Sequence, residues 1–176
     1  NFTPNKKTVL FFGGGEFGLG KTKTVEIFEC FVKLFPDIQI IAVAGKNEKM
    51  KTAFSKIVEQ EKRNDSIRVL EFTNKVPEFM SISDLVVTKP GGLTTSESLA
   101  SKLPMVIINP IPGQEEENAQ FLEENGIAIW IKKYDNPYEK LPNLFSDPTL
   151  LPTMKENTEK LSKKYSTQNI CKILFN

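Results

Sequence analysis

Apolar runs recur along this chain at residues 8–12, 38–44, 67–72, 85–88, 105–109 and 128–131, separated by longer amphipathic stretches. The runs are rich in β-branched residues and continuous rather than alternating, which is the pattern of strands covered on both faces. Between them the apolar spacing turns helical. Val25, Phe28, Val32 and Phe35 share one face, and Met50, Phe54, Ile57 and Val58 share another. Strand and helix therefore alternate, which predicts an α/β fold: a Rossmann-like, doubly wound parallel sheet of six strands with helices on both faces. From Pro148 onward the strands cease, and Leu151, Met154, Thr158, Leu161 and Tyr165 trace the stripe of a C-terminal helix. The expected organisation is a linker remnant over 1–7, a Rossmann-like domain over 8–147, and a helical segment over 148–176 that packs on it.

Ligands of such sheets sit beyond the carboxyl ends of the strands. Two loops open there. The more informative is Thr88-Lys89-Pro90-Gly91-Gly92-Leu93-Thr94-Thr95-Ser96-Glu97, which reads as a buried strand that breaks at Pro90–Gly92 and restarts as a helix at Thr94. A helix start directs unpaired N–H groups and the positive end of its dipole at a ligand, and a diphosphate is the natural guest. The glycines permit close approach, and Thr94, Thr95 and Ser96 add hydroxyls. Glu97 would be misplaced against phosphate, but it suits the two hydroxyls of a ribose. An alternative stays open at this point. Thr94 to Glu97 also fits a capping box, in which Glu97 only reaches back to the cap residue.

The earlier loop carries two overlapping glycine motifs. Gly13, Gly15 and Gly18 match the dinucleotide fingerprint, yet no carboxylate closes the following strand at Gly45-Lys46-Asn47. Residues 15–22 also satisfy the P-loop pattern, with Lys21 and Thr22 as its reactive end. The strand ends at Ala44, Phe72, Thr88 and Asn109 supply no magnesium-holding acid. A P-loop phosphohydrolase or kinase is the alternative function, and a solvated helix start is the plainer reading of Lys21.

Composition narrows the field. Among 176 residues, 23 Lys plus Arg balance 22 Asp plus Glu, so no nucleic-acid partner is advertised. Histidine is absent, removing the commonest general base and metal ligand. Cys30 and Cys171 match no metal spacing, and a reducing compartment is expected. Neither a signal peptide nor a membrane-length apolar run is present. With its polar opening and no initial methionine, the chain is expected to be a fragment of something longer.

Together the blocks carry a resemblance: Gly13-Gly14-Gly15-Glu16 with Gly18, residues 43–47, Asp84 through Glu97, and Asn109-Pro110-Ile111-Pro112-Gly113-Gln114-Glu115-Glu116-Glu117-Asn118-Ala119. The chain resembles the C-terminal donor-binding domain of GT-B glycosyltransferases of family 28. It is most similar to processive diacylglycerol glucosyltransferases and monogalactosyldiacylglycerol synthases, and more distantly to the lipid-linked N-acetylglucosaminyltransferase of peptidoglycan assembly. The resemblance implies a UDP-sugar donor, with backbone around Phe72 and Thr73 reading uracil and Glu97 holding the ribose. Gly91, Gly92, Leu93 and Thr94 would bind the diphosphate, with Gly14 and Gly15 facing it. Gln114 and Glu115 would contact the sugar, supported by Asn118, while Pro110 and Pro112 shape the loop and Glu116 and Glu117 stay in solvent. It further implies inverting transfer of glucose or galactose to a lipid such as diacylglycerol, with neither cofactor nor metal. No catalytic residue is expected in this chain, because the family's base belongs to an N-terminal domain. The full-length protein is expected in the cytoplasm, peripheral on the inner face of the cell membrane. A separate UDP-binding subunit completed by a partner chain is a further expectation.

Overall fold

The computed structural model describes residues 2–14, 21–162 and 166–175. Six strands, β1 (Thr8–Phe12), β2 (Gln39–Val43), β3 (Ile67–Leu70), β4 (Leu85–Thr88), β5 (Met105–Ile108) and β6 (Ala128–Ile131), form one sheet. Every pairing is parallel and the order is β3-β2-β1-β4-β5-β6. The helices are α1 (Lys21–Leu34), α2 (Glu48–Gln60), α3 (Val76–Ser81), α4 (Gly92–Ala100), α5 (Gln114–Glu124), α6 (Pro137–Lys140), α7 (Leu150–Leu161) and α8 (Ser166–Phe175). The alternation read from the sequence is the architecture found: a parallel six-stranded sheet flanked by helices, of Rossmann-like order.

Each strand feeds two cores, because successive side chains leave opposite faces. Val9 and Phe11 enter a core with Phe28, Phe31 and Phe54 from α1 and α2, and Leu10 enters the other with Met80, Ala119 and Leu122 from α3 and α5. Phe28 stacks on Phe54 at 4.1 Å between centroids, and Phe11 meets both rings edge-on. Such packed aromatics fix the height of α1 and α2 over the sheet. Leu151 and Met154 of α7 join the first core, and Leu161 packs against the second.

β2 and β5 are each trimmed by one residue at an end against the expected runs 38–44 and 105–109, β2 at both ends, and three larger differences stand out. β3 ends at Leu70, so Phe72 and Thr73 lie in the connector to α3 rather than at a strand end. Glu71, next in line, turns outward to pair with Lys51 of α2. The helix after β4 begins at Gly92, two residues before Thr94. The single C-terminal helix is two: α7 stops where Ser162 goes extended (φ −64°, ψ 124°), and α8 follows. Tyr165 lies outside the described residues.

Candidate functional site

β1 and β4 are neighbours from which the connections leave in opposite directions, with β2 beside β1 and β5 beside β4. This is the switch point at which a crevice opens above the carboxyl ends of the strands. A cleft of about 310 Å³ lies there, lined by Phe12, Gly14, Val43, Gly45, Thr88, Lys89, Gly91, Thr94 and Glu115. Its floor is tied together by main-chain bonds: Gly13 N–H donates to Val43 O at 2.8 Å, and Ala44 N–H to Leu70 O at 2.8 Å.

The wall on the β4 side is the start of α4. Gly91 is the N-cap, extended (φ −68°, ψ 146°), and no side chain caps the helix. Gly91 O accepts from Thr95 N–H at 2.9 Å. The N–H groups of Gly92, Leu93 and Thr94 therefore precede the first intrahelical bond and have no acceptor within the helix. Of the three hydroxyls expected to serve a ligand, only that of Thr94 belongs to a residue lining the cleft. Ser96 Oγ donates back to Gly92 O at 2.8 Å, and Thr95 Oγ1 is buried without a partner among the described residues.

Glu97 cannot complete a capping box, because Thr94 is inside the helix and the cap is Gly91. Its side chain is exposed, and among the described residues it makes no hydrogen bond or ion pair. It lies one turn along α4 from Thr94, outside the cleft lining.

The opposing wall comes from the loop after β5. Asn109 closes β5 in the left-handed region (φ 45°), and Gly113 caps α5 at φ 95°, a conformation in which a side chain is strained. Glu115 Oε2 accepts from Ile111 N–H at 2.7 Å. Its Oε1 lies 3.8 Å from where a Cβ on Gly91 would stand, so the carboxylate sits beside the α4 start. Asn118 Nδ2 donates to Pro90 O at 2.9 Å. Gln114, Glu116 and Glu117 are exposed.

The third wall is the loop after β1. Gly14 adopts φ 92° and faces Gly45, whose Cβ would stand 3.8 Å from Gly14 O. Gly13 has a different duty. A Cβ there would fall 2.9 Å from Met50 Cγ and 3.3 Å from Ala44 Cα, so this glycine lets α2 close on the strand end. Gly15, and with it residues 15–20 of the P-loop pattern, lies outside the described residues.

Thus Gly14, Gly91, Thr94 and Glu115 converge on one cleft, while Gly92, Leu93, Glu97, Gln114 and Asn118 flank it on α4 and α5. Phe72, 70% exposed, and Thr73 stand off on the β3–α3 connector, where Thr73 Oγ1 accepts from Lys75 N–H at 3.1 Å. Phe12, Val43, Gly45, Thr88 and Lys89 also line the cleft and were given no ligand role from the sequence. Four of these read as strand or strand-end positions. Lys89 sits within the very motif that was given one. Among the described residues, no group of three or more His, Cys, Asp or Glu is arranged to hold a metal ion. No helix among them is long and apolar enough to cross a membrane.

A Rossmann-like sheet with a bare-backbone cleft at its switch point and an uncapped helix start beside it is the architecture of the doubly wound α/β class, whose ligands sit at that switch point. The glycosyltransferase family 28 C-terminal domain matches residues 8–172, and the chain belongs to that family. It is 35% identical over 166 residues to a processive diacylglycerol beta-glucosyltransferase of Bacillus pumilus, covering 94% of this chain and 42% of that protein. It is 34% identical over 170 residues to the Bacillus subtilis enzyme of the same description, covering 97% and 43%. The chain therefore spans less than half the length of the curated relatives it matches. Among solved structures, MurG of Acinetobacter baumannii superposes with a TM-score of 0.74 at 22% identity, covering 96% of this chain and 49% of that one. The S. aureus MnaA–UDP co-structure gives 0.72 at 21% identity, covering 94% and 43%. At these identities the two structures speak for the fold.

Proposed function

We propose that this chain is the donor-binding part of an inverting glycosyltransferase that moves a hexose from a UDP-sugar to a lipid acceptor. Support for glucose as the hexose and diacylglycerol as the acceptor comes from the relatives' names. In the proposed reaction the acceptor oxygen bonds to the anomeric carbon while the bond from that carbon to the diphosphate oxygen breaks. The electron pair leaves with UDP, and the acceptor proton passes to a base supplied from outside this chain. The single observation that carries the reading is the uncapped start of α4 beside the cleft. Main-chain donors fixed there need no reorganisation as charge grows on the leaving diphosphate, and losing one such donor in other enzymes costs about 3 kcal/mol of barrier.

The remaining assignments follow the same reading. The Phe72–Thr73 backbone takes uracil, Glu97 the ribose hydroxyls, and Gly14, Gly15, Gly91, Gly92, Leu93 and Thr94 the diphosphate. Gln114 and Glu115 take the sugar, with Asn118 bracing their helix. Because base and acceptor lie elsewhere, the chain alone binds donor and turns over slowly or not at all. The full protein works as a peripheral enzyme at the cytoplasmic face of a membrane.

Calorimetry on the chain tests this. UDP should bind without magnesium, and ATP with magnesium should not. Saturable ATP–magnesium binding that is abolished by Lys21→Ala would instead establish the P-loop alternative. Robust hexose transfer by the chain alone would contradict the division of labour.

A further inference from the structure

Three lysines with described side chains are partly buried: Lys23, Lys51 and Lys89. A lysine with a covered stem carries its ammonium at the edge of the packed region, where any acceptor within reach would hold it. Lys23 has Glu26 and the carbonyl of Asp135, and Lys51 has Glu71. The Lys89 ammonium has neither hydrogen bond nor ion pair among the described residues, and the residue lines the cleft. The acidic residue in that lining is Glu115, whose Oε2 is taken by Ile111 N–H and which forms no ion pair with Lys89. The main chain of Lys89 is held on both sides. Thr88 before it and Pro90 after it are buried, Thr88 Oγ1 donates to Lys89 O at 3.1 Å, and Asn118 fixes the Pro90 carbonyl. Its tether is therefore rigid and its charge is uncommitted.

We infer that Lys89 is the counter-charge for the donor's diphosphate, sharing the anion with the first-turn amides of α4. This rests on the donor-site reading above and adds to it a residue that touches the leaving group. The chemistry fits. Gly91, two residues on, caps the helix, and Gly14 and Gly45 present bare main chain on the β1 side, so an anion there meets a cation on one side and N–H groups beside it. Lysine serves phosphate as a point charge on a flexible stem. It also separates the roles of two charges in one small cleft: Lys89 for phosphate, Glu115 for hydroxyls that would repel no anion. As charge accumulates on the departing diphosphate, the ammonium gains interaction energy in the transition state relative to the ground state, which is the condition for raising the rate.

The test compares uridine, UDP and inorganic pyrophosphate by calorimetry on the whole chain and on Lys89→Gln and Lys89→Arg. For Lys89→Gln we expect UDP and pyrophosphate to bind at least tenfold more weakly, about 1.4 kcal/mol. Uridine affinity and the thermal midpoint should stay unchanged, which reports an intact fold. Lys89→Arg, which keeps the charge, should stay within about threefold of the parent. Raising ionic strength should weaken UDP binding in the parent more than in Lys89→Gln. If Lys89→Gln binds UDP as the parent does, the role of Lys89 is overturned and the donor site stands. Equal weakening of uridine and UDP also overturns it, marking Lys89 as a structural support. If the parent itself binds no UDP at millimolar concentration, the donor-site reading fails and this inference with it.

Discussion

The side-chain amide of Asn118 donates to the main-chain carbonyl of Pro90 at 2.9 Å. The bond joins α5 to the connector between β4 and α4, so the two walls of the cleft are positioned by one contact. Pro90 is buried, and no solvent replaces a lost donor easily. Asn118→Ala should destabilise the chain by about 1–3 kcal/mol, the cost of stranding a buried acceptor. Asn118→Asp should do worse, because a carboxylate would face the carbonyl with no proton to offer. Urea denaturation reads both. If the aspartate variant is as stable as the parent, the bond is not positioning the connector.

Glu97 gives a prediction of opposite kind. Its carboxylate is exposed and unpaired among the described residues, and α4 is capped by Gly91. Glu97→Ala should therefore change stability by no more than about 0.5 kcal/mol, whereas a capping role would cost about 1 kcal/mol. On the donor-site reading the same change weakens UDP severalfold and leaves pyrophosphate binding intact. Calorimetry with both ligands, set beside a thermal melt, checks all three numbers.

These two residues show what the sequence discloses and where it stops. The strands were legible because parallel strands buried on both faces must be continuously apolar, and 8–12, 85–88 and 128–131 are found at the expected residues. Other ends were misread where a local preference lost to a contact. Thr94-Thr95-Ser96 looks like a cap, but in the fold Ser96 and Ser98 return their hydroxyls to the carbonyls of Gly92 and Thr94. Gly91 takes the extended cap conformation without needing a side chain. The walls contributed by Phe12 and Val43 were invisible for another reason. A residue at the last step of a buried strand has one neighbour fewer, and only the sheet order shows that the empty side is a cleft. Gly13 entered the sequence reading only as the first glycine of its motifs, whereas in the fold α2 crowds it. Spacing along a chain cannot report that crowding.

Gly13→Ala follows directly. The new methyl would meet Met50 Cγ at 2.9 Å, the Phe54 ring at 3.1 Å and Ala44 Cα at 3.3 Å. Met50 can rotate aside, but Phe54 is stacked on Phe28 and Ala44 Cα is backbone. Overpacking of this kind costs about 1–3 kcal/mol. We expect a lower urea midpoint with an unchanged slope, and a stability equal to the parent's would mean that α2 shifts freely against the sheet.

Cys30 and Cys171 should behave as two chemically different thiols. Both are free; Cys30 is buried in the first core beneath α1, and Cys171 is exposed on α8. Burial, reinforced by the Glu26 carboxylate and only partly offset by Lys23, pushes the Cys30 thiol up from 9.0 to about 12. Thiolate is the reactive form, so at pH 8 a maleimide should label one cysteine in the native chain and two after unfolding. The same shift sets a pH dependence. The folded state keeps the Cys30 proton between pH 9.0 and about 12 while the unfolded state releases it, so the folded state binds more protons there. Stability from this group is complete below pH 9.0 and is lost as pH rises, with a slope approaching about 1.4 kcal/mol per pH unit. Cys30→Ala also opens a small cavity, so the absolute stabilities of parent and variant differ for a second reason. The informative comparison is the slope of stability against pH above 9.0, which should be shallower in Cys30→Ala. Parallel profiles would mean that the thiol reaches solvent in the native fold.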